Sequence, residues 1–144
     1  MLKNLAHYPN LAGIKDSSGS AEGYKAFVEA FPALNMRTGT NSNLEQAFDH
    51  GMGAILADGN VFTKLCADVF AAYHAKNDYK PALAKLRAAQ RGVQGLGGSP
   101  PAMKYGLSLQ MGGPPIYTRA PMVEVSTEQK AAIKLALDKL KDMA

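Results

Sequence analysis

An apolar run, Leu11-Ala12-Gly13-Ile14, ends on Lys15 and gives way at once to the polar stretch Asp16-Ser17-Ser18-Gly19-Ser20. A short apolar run bounded by turn residues predicts a strand buried on both faces, here over residues 11–15, whose last position opens onto a loop. Tyr24, Phe27, Val28 and Phe31 then fall at i, i+3, i+4 and i+7, the spacing of an amphipathic helix, and Pro32 ends it. Leu34, Met36 and Thr38 predict a second strand closed by Gly39. Ser42 with Glu45 three residues on has the form of a capping box for a short helix through Phe48, which Gly51 is placed to terminate. Residues 54–57 predict a third strand, and Val61, Leu65, Val69 and Tyr73 mark a longer helix.

Strands that alternate with helices imply an α/β fold with a parallel sheet and right-handed crossovers. After Asn77 the pattern changes and no further strand is predicted. Tyr79, Leu83, Leu86 and Val93 make one helix, residues 97–101 (Gly-Gly-Ser-Pro-Pro) read as a turn, and residues 102–110 as a short helix. Gly112-Gly113-Pro114-Pro115 is an irregular connection. Ser126 and Gln129 then cap a final helix with Ile133, Leu137 and Leu140 on one side.

Composition narrows the class. With 144 residues, 47% hydrophobic and 19% charged, the chain is one modest domain or part of a larger one, with a substantial core. No apolar stretch approaches the ~20 residues that span a bilayer, and the start lacks signal-peptide regions. The single cysteine, Cys66, forms no internal disulfide and fits a cytoplasmic setting. It lies among apolar helix positions and reads as an inert core thiol. The net charge of +4 comes from lysines spread along helix faces, with no basic run interleaved with aromatics, so nucleic acid and membrane are not expected partners. His7, His50 and His74 fall near helix C-termini, where a cation complements the macrodipole; none has a second ligand at metal spacing, and no metal is expected.

Lys15 carries the most chemistry. At the end of a buried strand its amine would be partly desolvated, which disfavours the ammonium form, and a neutral amine is the nucleophile that forms a Schiff base with a carbonyl. The plain alternative is a lysine that snorkels to water and does no chemistry. Because parallel strands share one C-terminal rim, Lys15, the Thr38-Gly39-Thr40 corner and residues 55–60 would converge there if the topology holds.

The segment Pro9-Asn10-Leu11-Ala12-Gly13-Ile14-Lys15-Asp16-Ser17-Ser18-Gly19 resembles the lysine signature of the dihydrodipicolinate synthase and N-acetylneuraminate lyase family, pyruvate-dependent class I aldolases on a (β/α)8 barrel. The resemblance continues in order through Thr38-Gly39-Thr40-Asn41, Gly51-Met52-Gly53-Ala54-Ile55, Asn60, Lys104-Tyr105-Gly106-Leu107 and Arg119-Ala120-Pro121, so it covers essentially the whole chain. It implies that residues 1–76 are strands six to eight of such a barrel, about three βα units, and residues 77–144 the helical C-terminal domain.

By that resemblance Lys15 is the Schiff-base lysine, while Gly39 and Ile55 line the site and offer backbone atoms to the substrate carboxylate region. Read from the residues alone, Gly39 is equally a turn glycine and Ile55 ordinary barrel core. Thr40, Asn41 and Asn60 can donate to a polar substrate tail or simply start helices. Asp16 need not share the pocket, because successive strand residues face opposite sides, and Arg119 reads as a structural anchor. No cofactor is implied beyond a covalent imine with pyruvate at Lys15.

A whole barrel needs eight strands and ~250 residues, and only three strands are predicted here. The family's upstream glycine-threonine segment, proton-relaying tyrosine and substrate-holding arginine have no counterpart. The expectation is therefore a dihydrodipicolinate synthase-like lyase that lacks its N-terminal catalytic groups, a fragment inactive or weakly active alone, with a 2-oxo acid substrate. Its partners would be further copies of itself or a complementing N-terminal half. The alternative is a non-catalytic part-barrel acting as an assembly module. A third reading is a small βα domain that binds an anion at residues 17–20. The second substrate is open: Asp16-Ser17-Ser18 leans toward the synthase-like branch, and Thr40-Asn41 leaves sugar-acid aldolases in play.

Overall fold

The computed structural model describes residues 2–5, 7–94 and 99–141. They form two compact units, Met1–Ala57 and Asp58–Ala144.

The first unit is a parallel three-stranded sheet backed by helices. Its strands are β1 (Gly13–Asp16), β2 (Asn35–Thr38) and β3 (Gly53–Ala54), in the spatial order β1-β2-β3. Helix α1 (Ala21–Ala30) joins β1 to β2, and α2 (Leu44–Asp49) joins β2 to β3. These are the expected alternation and fold class. Register is fixed by one apolar face: Ile14 pairs with Met36, and both pack with Tyr24 and Val28 of α1 and Ala47 of α2. Tyr24 is fully buried, and its hydroxyl donates to the Met36 carbonyl at 3.1 Å, which ties α1 to β2. Burial pushes the Tyr24 phenol above its ordinary range, Arg37 pulls it back, and Asp16 raises it further.

Several local expectations need correcting. β1 is half-buried, and on one face only, and Lys15 is exposed. The other face is the one that a closed barrel would cover with further strands. Ser42 is not the N-cap: the chain first makes a 3₁₀ turn at Asn41–Asn43, with Thr40 as the cap accepting from the Ser42 amide. A 3₁₀ turn tightens a helix start and moves the capping position upstream. Gly51 follows α2 with φ +67°, a conformation in which glycine meets no Cβ strain, as expected of a terminator. β3 is shorter than residues 54–57 because the chain enters a second 3₁₀ turn at Ala57–Asn60.

The second unit is helical: α3 (Thr63–His74), α4 (Lys80–Gln94), α5 (Ser99–Met111) and α6 (Thr127–Lys141). Its core joins Val69, Leu83, Leu86, Val93, Ala102, Ile133 and Leu137. At Gly106 α5 lies beside Leu137, Val61 and Val93, which an added Cβ would meet at ordinary contact distances of 3.5–3.9 Å. The turn expected at residues 97–101 falls partly outside the described residues, and its Ser-Pro-Pro portion is instead the first turn of α5. Proline lacks an amide hydrogen that the first helical turn does not use, so two prolines fit there. Ser126 caps α6 as expected: its Oγ accepts from the Gln129 amide at 3.2 Å while Gln129 Oε1 accepts from the Ser126 amide at 2.7 Å. No helix among the described residues is long and apolar enough to cross a membrane.

Candidate active site

The three strand ends of the first unit are knitted together past the formal strands. The Gly39 amide donates to Asp16 O at 2.6 Å, and the Ile55 amide donates to Thr38 O at 2.9 Å. The fully buried Thr38 holds the corner, its Oγ1 donating to Thr40 O at 3.0 Å and accepting from the Thr40 amide at 3.2 Å. Lys15, the Gly39 corner and Ile55 are thereby brought to one rim.

Side-chain alternation decides what faces the rim's open side. Ile14 and Met36 point to the helices, so Lys15 and its register partner Arg37 emerge on the opposite face. There an open cleft of about 330 Å³ is lined by Ala12, Gly13, Ile14, Lys15, Asn35, Arg37 and Ile55. Ile55 is 53% exposed, so within this unit it is a wall of the cleft and not packed core. The Lys15 stem runs across Gly39: a Cβ at position 39 would stand 2.8 Å from Lys15 Cε and would collide with Ser17 Oγ. Gly39 has an ordinary φ, so its place in the fold is explained by space and not by backbone freedom.

The loop after Lys15 is stitched to itself. Asp16 Oδ1 accepts from the Ser18 amide and Oδ2 from the Ser18 hydroxyl, both at 2.9 Å. Ser18 Oγ accepts from the Ser20 amide at 3.2 Å, and Ser20 Oγ from the Gly23 amide at 2.9 Å. This relay fixes the position where β1 hands over to α1. It also weighs against an anion at residues 17–20, since a carboxylate and two hydroxyls already take the donors.

Thr40 is occupied as a cap, its Oγ1 lying 2.7 Å from Ser42 Oγ, and Asn41 is buried. Asn60 closes the 3₁₀ turn that belongs mainly to the second unit and does not cap α3, whose N-cap is Phe62. Burial pushes the Cys66 thiol up to about 11, with the negative charge of Asp58 adding to it, the state of an unreactive thiol. Among the described residues no three His, Cys, Asp or Glu side chains gather as metal ligands.

No family model matches the chain. An uncharacterized DapA-like lyase of Chloroflexus aurantiacus is 33% identical over 136 residues, covering 94% of this chain and 45% of that protein. The dihydrodipicolinate synthase of Bacteroides thetaiotaomicron superposes with a TM-score of 0.80 at 20% identity, over 96% of this chain and 49% of that one. The N-acetylneuraminate lyase of Fusobacterium nucleatum, solved with pyruvate, gives 0.81 at 20% identity, over 96% and 47%. The chain is similar in sequence to a DapA-like lyase and in fold to dihydrodipicolinate synthase and N-acetylneuraminate lyase. It spans about half the length of the relatives that it matches.

Set beside those structures, the three-stranded sheet matches part of a dihydrodipicolinate synthase-like barrel. Two residues of the cleft escaped the sequence reading, Asn35 and Arg37. The signal for both was present: residues 35 and 37 alternate with the apolar 34 and 36, and so share a face with Lys15.

Proposed function

We propose that this chain supplies the imine-forming lysine, and part of the substrate wall, of a pyruvate-dependent lyase of the dihydrodipicolinate synthase kind. The observation that carries the reading is Lys15 at the C-terminal rim of a parallel sheet, its stem laid over Gly39 and its cleft shared with Ile55. Active sites of (β/α)8 barrels occupy that rim.

The chemistry asked of Lys15 is nucleophilic. Its neutral amine adds to the C2 carbonyl of a 2-oxo acid, the carbinolamine loses water, and a protonated imine results. The imine draws electrons from C3, whose proton then leaves to give an enamine that adds to an aldehyde; run in reverse, the sequence cleaves the same bond. Gly39 leaves room for the lysine to reach the substrate, and Ile55 supplies an apolar wall. Each proton transfer needs a general acid or base, worth roughly 10²–10⁴-fold in rate. Those groups would come from the complementary part of the barrel, so the chain alone should form the imine far better than it turns over. Thr40 and Asn60 enter this proposal only as polar groups for the second substrate's tail.

Incubation with pyruvate and borohydride tests the reading. The hydride reduces an imine to a stable secondary amine, so a pyruvate-derived adduct on Lys15 supports it and an untouched Lys15 refutes it. A second reading, a part-barrel that only assembles, draws on the outer edges of β1 and β3, which pair with no strand among the described residues. It predicts self-association by size exclusion with no trapped imine.

A further inference from the structure

Asp16 follows the lysine, lines no part of the cleft and gives its whole carboxylate to the turn beyond it. By alternation it shares the helix-facing side of β1 with Ile14, opposite to Lys15. Both of its oxygens go to Ser18, one to the amide and one to the hydroxyl, at 2.9 Å each. Its backbone is fixed from another direction, because the Asp16 carbonyl accepts from the Gly39 amide at 2.6 Å. The residue is therefore held twice: by its main chain to the end of β2, and by its side chain to the turn that leads into α1.

Ser17 sits between the two pinned residues. Its Cβ lies 3.0 Å, and Lys15 Cε 2.8 Å, from the one point where a Cβ at position 39 would stand. Ser17 thus walls one side of the lysine stem while Gly39 forms the floor. Fixing a lysine side chain costs up to about 2 kcal/mol of rotamer freedom, so a wall that excludes unproductive rotamers beforehand leaves less for the reaction to supply. A carboxylate is the acceptor that suits this turn. Ser18 presents two donors, and an ionised aspartate accepts both. With its proton committed to Asp16, the Ser18 hydroxyl keeps a lone pair for the Ser20 amide at 3.2 Å.

We propose that Asp16 is a positioning residue for the imine chemistry: it rigidifies the turn at residues 16–18, and the turn holds Ser17 against the lysine stem so that the amine is presented along one direction. The inference rests on the Schiff-base reading and adds a residue to it. Asp16 touches no substrate and moves no proton.

The test sets the rate of borohydride trapping by pyruvate on Lys15 against the urea midpoint, for variants of the full chain. Asp16→Ala and Ser18→Ala should each slow trapping about tenfold, the scale on which a small displacement of a reacting group acts, so the result does not depend on one variant folding. Asp16→Asn, which keeps an acceptor oxygen for the Ser18 amide, should recover part of the rate. Ser20→Ala removes the cap bond to the Gly23 amide at 2.9 Å and leaves the Asp16–Ser18 pair in place. It should lower the urea midpoint while trapping continues at the wild-type rate. Unchanged trapping in the Asp16 and Ser18 variants, or trapping that falls with the midpoint in Ser20→Ala as well, overturns the role of Asp16 and leaves the imine intact. No adduct on the wild type overturns the Schiff-base reading and this inference with it.

Discussion

The Cε atom of Lys15 lies 2.8 Å from where a Cβ at position 39 would stand, and Ser17 Oγ lies nearer still. Lys15 is in β1 and Gly39 directly follows β2, and the bond from the Gly39 amide to Asp16 O ties the two segments. The lysine's direction is therefore set by what position 39 lacks. Gly39→Ala should push the exposed Ser17 and Lys15 side chains aside, since both lie within 3.0 Å of the added methyl. The expected outcome is a roughly tenfold slower imine trapping with an unchanged far-UV spectrum. Trapping at the wild-type rate would show that the lysine has other routes to the cleft.

Cys66 gives a pH signature to the helical unit. Its thiol is raised from about 9 to about 11, by burial first and by Asp58 second. A group whose pKa is higher in the folded state contributes stability below its unfolded value and loses it as the pH climbs through the folded value. Unfolding free energy should thus fall between pH 9 and 11, and the fall should be shallower in Cys66→Ala. In the folded protein, iodoacetamide at pH 8 should label Cys66 much more slowly than in urea. Rapid labelling of the native chain would contradict the assignment.

Ser126 and Gln129 exchange bonds at the start of α6, which satisfies two helix-end amides at once. Ser126→Ala removes one of them and should cost about 1 kcal/mol, read as a lower urea midpoint at constant slope. The Ser126 hydroxyl also donates to Glu128 at 2.7 Å and holds that carboxyl below its usual range. Glu128 contributes stability above the ordinary carboxylate pKa, and that contribution fades as acid protonates it. The effect of Ser126→Ala should accordingly shrink at low pH.

How much of this was legible depends on whether a feature is set by neighbours in sequence or in space. The alternation of Leu34, Met36 and Thr38 and the spacing of Tyr24, Val28 and Phe31 fix which faces bury, so sheet order and helix placement could be read. The box at Ser126 could be read because both partners lie within one turn. Ser42 and Asn60 misled because any short polar residue before a helix suits a cap, and only the 3₁₀ turns show where the helices begin. The exposure of Lys15 was not legible at all. A strand end in a parallel sheet is buried only when other strands close over it, and that depends on the rest of a barrel. The fit of Arg37 across Gly53, where a Cβ would collide with the guanidinium, was missed because a glycine's value as empty space appears only when the side chain lying across it is known.

The measurement that bears most directly on the account is peptide mapping after pyruvate and borohydride treatment. The account predicts a carboxyethyl adduct concentrated on the peptide that holds Lys15, lost in Lys15→Ala. An adduct spread evenly over the surface lysines, or none, would contradict it.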